Sequence, residues 1–265
     1  MKKYTSLFAT NFASAIEYRA NLFSILLLEA ISVSSVLILW VAVYRSQDSV
    51  AGYNFNDAIT YYLMVPIVGF VTQVVLSDKL ASEIRTGFFS NYLLKPLRFW
   101  QAAFMSVLAT KVNYLILVSP VIAAVLIYVI SKGLIHITPI ALLSALLIAL
   151  LAFVFHFALD LAISFAAFWL DDVWAFTHIK NITFSILGGL SFPLDFVTGP
   201  LKALFTFLPF QYLYYVPIMY LLGKRSGFDM LLSDILHLLA WTVVVAFLAA
   251  ILWRLGLRKY GAYGR

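Results

Sequence analysis

The stretch Asp78–Trp100, DKLASEIRTGFFSNYLLKPLRFW, decides the fold because it is the longest charged interruption in an otherwise apolar sequence. A charged side chain inside a bilayer costs on the order of a few kcal/mol or more, so this stretch is expected to lie in water with membrane-spanning segments on both sides. Leu80, Ile84 and Phe88 recur at four-residue steps, which predicts a short amphipathic helix with one apolar stripe. Pro96 prevents its easy continuation.

Composition places the whole chain in the membrane class. Of its 265 residues, 63% are hydrophobic and 11% are charged, whereas soluble domains are about 25% charged. The mean hydropathy is +0.97, and the apolar residues come in runs of about 20 or more, the length that spans a bilayer. The predicted fold class is therefore an all-α polytopic membrane protein.

The same counts argue against several functional classes. The chain has no cysteine, so it has neither a disulfide nor a thiolate metal site, and its four histidines show no metal-ligand spacing. The net charge of +6 fits the positive-inside bias of membrane proteins better than a nucleic-acid partner. P-loop, zinc-protease and nucleophile-elbow motifs are missing, so we assign no catalytic residue and do not expect an enzyme.

We predict a single transmembrane domain over residues 1–265 with six spans. In order, its parts are an amphipathic interfacial helix (1–20), spans one and two (21–77), a cytoplasmic segment (78–102), spans three to five (103–198), an extracellular-side hairpin (199–230), and span six with a basic cytoplasmic tail (231–265). Most of the 18 Lys and Arg residues fall on the side that carries both termini. Because cytoplasmic loops carry the excess of basic residues, both termini and residues 78–102 are predicted to be cytoplasmic.

Glycine and proline interrupt the apolar sequence of span five, which begins near Asn181, and of the region that follows. The interrupting residues are Gly188, Gly189, Pro193 and Pro209. Broken backbone at membrane depth is tolerated only where protein or a water cavity covers it, so we predict a re-entrant or interfacial hairpin here. The Gly188-Gly189 pair favours close helix packing, with a hinge as the alternative.

Ionisable residues inside the predicted spans are candidate functional residues. His156 and Asp160 are four residues apart and Ser164 extends the same helical stripe, which indicates either a contact on a translocation path, including a proton-sensitive pair, or a pair that only fixes packing. Glu29 lies in span one and could pair with Lys111 of span three or with a polar residue of span two.

Three ordered motifs resemble a known family. The first is Glu83-Ile84-Arg85-Thr86-Gly87 with the downstream Leu93-Leu94-Lys95-Pro96-Leu97, similar to an E-x-x-x-G and L-x-x-P-L pattern between spans two and three; the others are Gly188–Pro193 with Leu208–Phe210, and the ending Leu252–Gly264. Together they resemble a bacterial ABC type-2 permease, in a subgroup of mostly unassigned substrate, and the resemblance extends over nearly the whole chain.

The resemblance implies a permease subunit of an ATP-driven exporter in the bacterial cytoplasmic (inner) membrane, in contact with lipid. It implies a cytoplasmic coupling helix at about Ser77–Phe89 that sits in a cleft of a separate P-loop ATPase, with ATP and Mg held by that partner and no cofactor in this chain. It also implies a second permease subunit, identical or different, with the translocation path between the two. The residues that it assigns to ATPase coupling are Asp78, Glu83, Arg85, Gly87, Lys95, Pro96 and Arg98.

Two other classes of function stay open at this point. An ion-gradient-driven secondary transporter or channel would need no ATPase and would depend on Asp160. The absence of an internal repeat weighs against the paired-repeat transporters. A membrane assembly or immunity protein without transport would show no coupled ATPase activity and would not need Glu83.

Overall fold

The computed structural model describes residues 2–17, 19–94, 98–135 and 137–261, and this part of the chain is almost entirely helical. Its helices are α1 (Lys2–Glu17), α2 (Arg19–Val43), α3 (Phe55–Thr72), α4 (Ser77–Arg85), α5 (Ser90–Leu93), α6 (Phe99–Ser131), α7 (Pro139–Phe165), α8 (Trp174–Leu187), α9 (Pro200–Phe207), α10 (Tyr215–Leu221) and α11 (Phe228–Lys259). The all-α prediction is confirmed for these residues.

Five helical segments of the described chain are long and apolar enough to cross a membrane. They are Leu26–Val43, Phe55–Arg85, Phe99–Ser131, Pro139–Phe168 and Phe228–Lys259. The predicted fifth span is not a continuous spanning helix, because α8 has 14 residues and covers only about 21 Å at 1.5 Å per residue. A bilayer core is about 30 Å thick.

Helix α7 lies at the centre of the fold, in contact with α3, α4, α10 and α11. Two apolar clusters mark the ends of the bundle. One, which we call the α4 end, contains Leu80 and Phe165, and the other, the far end, contains Tyr61 and Ile148. Helix α11 contributes its early residues, such as Leu238, to the far end and its later residues to the α4 end, so it runs in the same direction as α7. The chain between α7 and α11 must therefore return from one end of the bundle to the other.

The return segment, residues 166–227, makes this passage in short pieces because its backbone is interrupted at the glycine pair. Gly188 ends α8, and the N–H of Tyr215 donates to the carbonyl of Gly188 over 3.0 Å. Gly189 has a φ of +87°, and a Cβ placed on it would lie 2.7 Å from the hydroxyl oxygen of Tyr61 and 2.8 Å from the Cβ of Tyr215. The glycine pair therefore allows close packing of α3 and α10 against the end of α8.

The predicted hairpin region contains α9 and α10. Pro193 precedes a short 3-10 turn, and Pro209 is buried at the start of another that leads into α10. Its position relative to a bilayer stays a prediction, as does the interfacial position of the N-terminal helix. Helix α1 packs against α6, where the side-chain amide of Asn113 donates to the carbonyl of Phe12 over 3.1 Å.

We predict that Gly189→Ala destabilises the protein more than Gly133→Ala. Both glycines have a positive φ, but a Cβ at Gly133 meets no atom within 4 Å, so the pair isolates the close approach of Tyr61 and Tyr215. The close approach adds local strain of about 1–3 kcal/mol, and each kcal/mol lowers the melting temperature by roughly 2–4 °C. In detergent, the melting temperature of Gly189→Ala should therefore be several degrees lower than that of Gly133→Ala. Equal melting temperatures for the two variants would contradict the tight packing at Gly189.

Candidate functional site

Helix α4 is the short amphipathic helix expected after span two. Its inner face buries Leu80 and Ile84, while Lys79 and Arg85 on the other face are exposed. The helix ends at Arg85 with Thr86 as its C-cap, and Gly87 turns the chain with a φ of +79°, a conformation that glycine adopts without steric cost.

The predicted apolar stripe is wrong at its last position. Phe88 is 66% exposed, whereas its neighbour Phe89 is completely buried. The turn at Gly87 ends the helix before Phe88, so the four-residue periodicity does not continue. The ring of Phe89 instead packs against Phe168 and Tyr260, and the hydroxyl of Tyr260 donates to the carbonyl of Gly87 over 3.0 Å.

Three of the residues assigned to ATPase coupling, Asp78, Glu83 and Arg85, lie on α4 itself. Asp78 accepts a hydrogen bond from the hydroxyl of Thr177 over 2.9 Å. The guanidinium of Arg85 donates to the backbone carbonyl of Asp171 over 2.8 Å. These two contacts tie α4 to the start of the return segment.

The remaining members of that set have different surroundings. Glu83 is partly buried, and burial together with the Glu83 carboxylate raises the pKa of Tyr92 to about 12. Arg98 is exposed immediately before α6. Lys95 and Pro96 lie outside the described residues.

The pair on α7 is buried against the N-terminal end of α4. His156 is 2% exposed, and Asp160 and Ser164 are completely buried. Oδ1 of Asp160 lies 2.6 Å from the ammonium of Lys180 and 3.5 Å from Nε2 of His156. The hydroxyl of Ser164 donates to the backbone carbonyl of Asp160 over 2.6 Å, so it does not join the carboxylate.

The other carboxylate oxygen of Asp160 contacts the backbone of the connection between α3 and α4. Oδ2 accepts from the N–H of Leu76 over 2.9 Å and from the N–H of Ser77 over 3.2 Å. Nδ1 of His156 lies 3.1 Å from both the backbone N of Val74 and the carbonyl oxygen of Thr72, so its tautomer decides which of the two it bonds. Two side chains of α7 thus hold the four residues 73–76.

Lys180 is the functional residue that the sequence did not reveal. It lies directly before the predicted start of span five near Asn181, yet it is buried on α8 and paired with Asp160. Lys180 is 20 residues from Asp160 and lies on a different helix, so helical periodicity could not indicate that the two side chains meet. The one available signal was a cation directly before an apolar run.

Glu29 and Lys111 do not form an ion pair. The ammonium of Lys111 donates to the backbone carbonyls of Phe70 and Gln73, where α3 ends. These carbonyls lack partners within the helix, and a cation is favoured at a helix C-terminus. Glu29 and Lys111 instead line the same cavity.

This cavity has a volume of about 520 Å³ and lies between α2, α3, α4 and α6. Its walls combine apolar side chains with a few charged ones, which are Glu29, Lys79, Glu83 and Lys111. Volumes of about 300–1,000 Å³ with mainly apolar walls are typical of small-molecule sites. The arrangement can therefore accommodate an amphipathic molecule beside α4.

A second polar cluster at the far end was also not foreseen. Asp195 accepts hydrogen bonds from the hydroxyls of Tyr53 over 2.6 Å and Tyr215 over 2.8 Å. Arg225 pairs with Asp234; burial alone would lower the pKa of the guanidinium, but the contacts with Asp234 outweigh burial and raise it. These bonds join the loop before α3, the return segment and α11.

Comparison with known proteins identifies the family. A family model described as "ABC-2 family transporter protein" matches residues 30–264, most of the chain. Neither a curated protein nor a solved structure matches it. The chain therefore belongs to the ABC-2 transporter family, and its several apolar helices of spanning length make it a multi-pass membrane permease component of an ABC transporter.

Proposed function

We propose that this chain is the membrane subunit of an ATP-driven exporter and that α4 is its contact with a separate P-loop ATPase. The observation that carries this proposal is the position of α4: a short helix with a charged outer face, placed between two membrane-crossing helices and bonded to two further helices of the bundle. A movement of α4 would reach α3, α7 and α8 together.

The exposed surface around α4 supports docking of a protein. Phe88 is 66% exposed and Leu94 is 82% exposed, and the charged residues Lys79 and Arg85 of α4 are exposed as well. Apolar side chains ringed by polar ones are typical of protein interfaces. We assign the ATPase contact to this mixed surface, in which Phe88 joins the charged residues that the family resemblance indicated.

Helix α3 provides a route from α4 to the far end of the bundle. Its C-terminal end continues through residues 73–76 into α4. Near its other end, the hydroxyls of Tyr61 and Tyr62 donate to the carbonyls of Gly189 over 2.5 Å and Ser191 over 2.9 Å. A shift of α3 would therefore move the interrupted return segment, which fits a switch of access across the membrane.

We propose that the return segment is the sixth, broken crossing. It starts beside α4, where Thr177 bonds to Asp78, and reaches the far end, where Lys224 pairs with Asp57 over 2.9 Å. Six crossings would put both termini on one side, and the excess of Lys and Arg there favours the cytoplasmic side of a bacterial inner membrane, with α1 at its surface. A dimer with a second permease subunit would complete the path.

The surroundings of Asp160 favour the exporter over an ion-driven carrier. Both of its carboxylate oxygens are already occupied, one by Lys180 and the other by two backbone N–H groups. Such a group offers no open position to a coupling ion. The cavity of about 520 Å³, with Glu29 in its wall, is the better candidate for contact with an amphipathic substrate.

We predict that Phe88→Asp weakens binding of the ATPase, whereas Phe228→Asp does not. Both phenylalanines are strongly exposed, but Phe228 lies at the start of α11, at the other end of the bundle. The ATPase that co-purifies with the native chain is first identified, and its affinity for each purified variant is then measured. Phe88→Asp should raise the Kd at least about tenfold, which is about 1.4 kcal/mol. Equal affinities would remove Phe88 from the interface.

The topology gives a second prediction, which is direct because the chain has no native cysteine. Single cysteines are placed at the exposed residues Asp48, Lys79 and Lys259. A membrane-impermeant maleimide should label Asp48→Cys in intact cells and the other two only after the membrane is opened. Labelling of Lys259→Cys in intact cells would show that the return segment does not cross.

A further inference from the structure

We propose that Asp160 is the positioning residue of α4: its carboxylate, carried by the membrane-spanning helix α7, caps the N-terminus of α4, and Lys180 holds that carboxylate in place. This role rests on the proposed function of α4 as the ATPase contact. It differs from both roles that the sequence offered for Asp160, a contact on a translocation path or a pair that only fixes packing.

Helix α4 has no cap of its own. The first N–H groups of a helix lack partners within the helix, and a Ser, Thr, Asp or Asn at the position before the helix normally accepts one of them. Leu76 occupies that position in α4 and has no side-chain acceptor. The acceptor is supplied from α7, where Oδ2 of Asp160 lies 2.9 Å from the N of Leu76 and 3.2 Å from the N of Ser77.

A carboxylate suits this place because its charge complements the positive end of the helix dipole. A buried carboxylate is costly unless it is paired and hydrogen-bonded. The ammonium of Lys180 provides the pairing, 2.6 Å from Oδ1, and both side chains are almost completely buried. The two oxygens therefore bind different groups: Oδ1 binds the ammonium of Lys180 on α8, and Oδ2 binds the backbone N–H groups at the start of α4.

Neighbouring contacts restrain the same connection. Nδ1 of His156 contacts the end of α3 and the connection that follows, at 3.1 Å from both the carbonyl oxygen of Thr72 and the backbone N of Val74. Thr177 bonds to Asp78 in the first turn of α4. Helix α4 is thus fixed at its beginning by directional bonds from α7 and α8, while its outer face stays exposed.

A role in packing alone predicts different behaviour from a role in positioning. Replacing a buried ion pair by apolar residues of similar volume is often neutral or stabilising. If Asp160 and Lys180 only pack, D160L/K180M should behave like the native chain, and D160N/K180M should be the poorer variant because the amide NH₂ of Asn has no partner. If Asp160 positions α4, the order reverses, because Asn keeps an oxygen acceptor for Leu76 and Ser77 while Leu has none.

The experiment compares these two double variants, which differ only in Asn or Leu at position 160. Because the chain has no cysteine, spin labels are attached to cysteines at Lys79 on α4 and at Lys132 just after α6, both exposed. The distance distribution is measured by pulsed electron resonance on the purified chain without any ATPase. D160N/K180M should keep the native distribution, and D160L/K180M should shift it or widen it at least about twofold.

The same variants are then tested with the co-purified ATPase. D160L/K180M should lose at least about tenfold of the stimulation that the permease gives to ATP hydrolysis, whereas D160N/K180M should retain most of it. A native label distribution in D160L/K180M overturns the positioning role and leaves the proposed function standing. A displaced α4 with unchanged ATPase stimulation supports the positioning role and instead contradicts α4 as the ATPase contact.

If D160L/K180M does not fold, the single variant Asp160→Glu tests the same proposal. Asp160→Glu keeps the ion pair with Lys180 and moves the acceptor by one methylene group. The label distribution of Asp160→Glu should shift relative to the native chain, and an unchanged distribution would overturn the proposal.

Discussion

The arrangement of helices at the α4 end depends on the hydrogen bonds and the ion pair that the buried carboxylate of Asp160 makes. This carboxylate lies in an apolar bundle, where an unpaired charge would be costly. Its requirement for partners brings together Lys180 of α8, the beginning of α4 and α7 itself. Without this group, the start of α4 would have two buried N–H groups and no acceptor. The short connection of residues 73–76 can therefore leave α3 and enter α4 in one defined direction.

The far end is organised by a different set of bonds, although it serves the same central helices. Tyrosine hydroxyls of α3 bind backbone carbonyls beside Gly189, and Asp195 receives the hydroxyls of Tyr53 and Tyr215. The side chains there are large, but the glycine has none, so the broken return segment fits closely against α3. Helix α3 consequently has polar contacts at both ends of the bundle and links the connection before α4 to the return segment.

Sequence patterns anticipated the features that depend on local chemistry. The inner face of α4 and the break at Gly188-Gly189 were both predictable, because amphipathic spacing and glycine act over a few residues. Phe88 was misplaced since the turn resets the periodicity just before it. Lys111 and Lys180 could not be assigned, because their partners are backbone carbonyls in one case and a carboxylate on another helix in the other. Neither type of partner leaves a periodic signal in the sequence.

The polar character of this joint has a physical reason beyond stability. Apolar packing is non-directional, so with a purely apolar contact α4 could shift along α7 by a fraction of a helical turn at little cost in free energy. Hydrogen bonds weaken steeply when their geometry changes, and those from Leu76 and Ser77 to one oxygen fix both the axial position and the rotation of the helix start. A helix that must pass on a small displacement needs such a fixed end, because any slack there would absorb the movement. Placing a costly buried charge beside α4 fits that demand, since an apolar contact of equal stability would leave the outer face of α4 free to rotate away from the ATPase proposed as its partner.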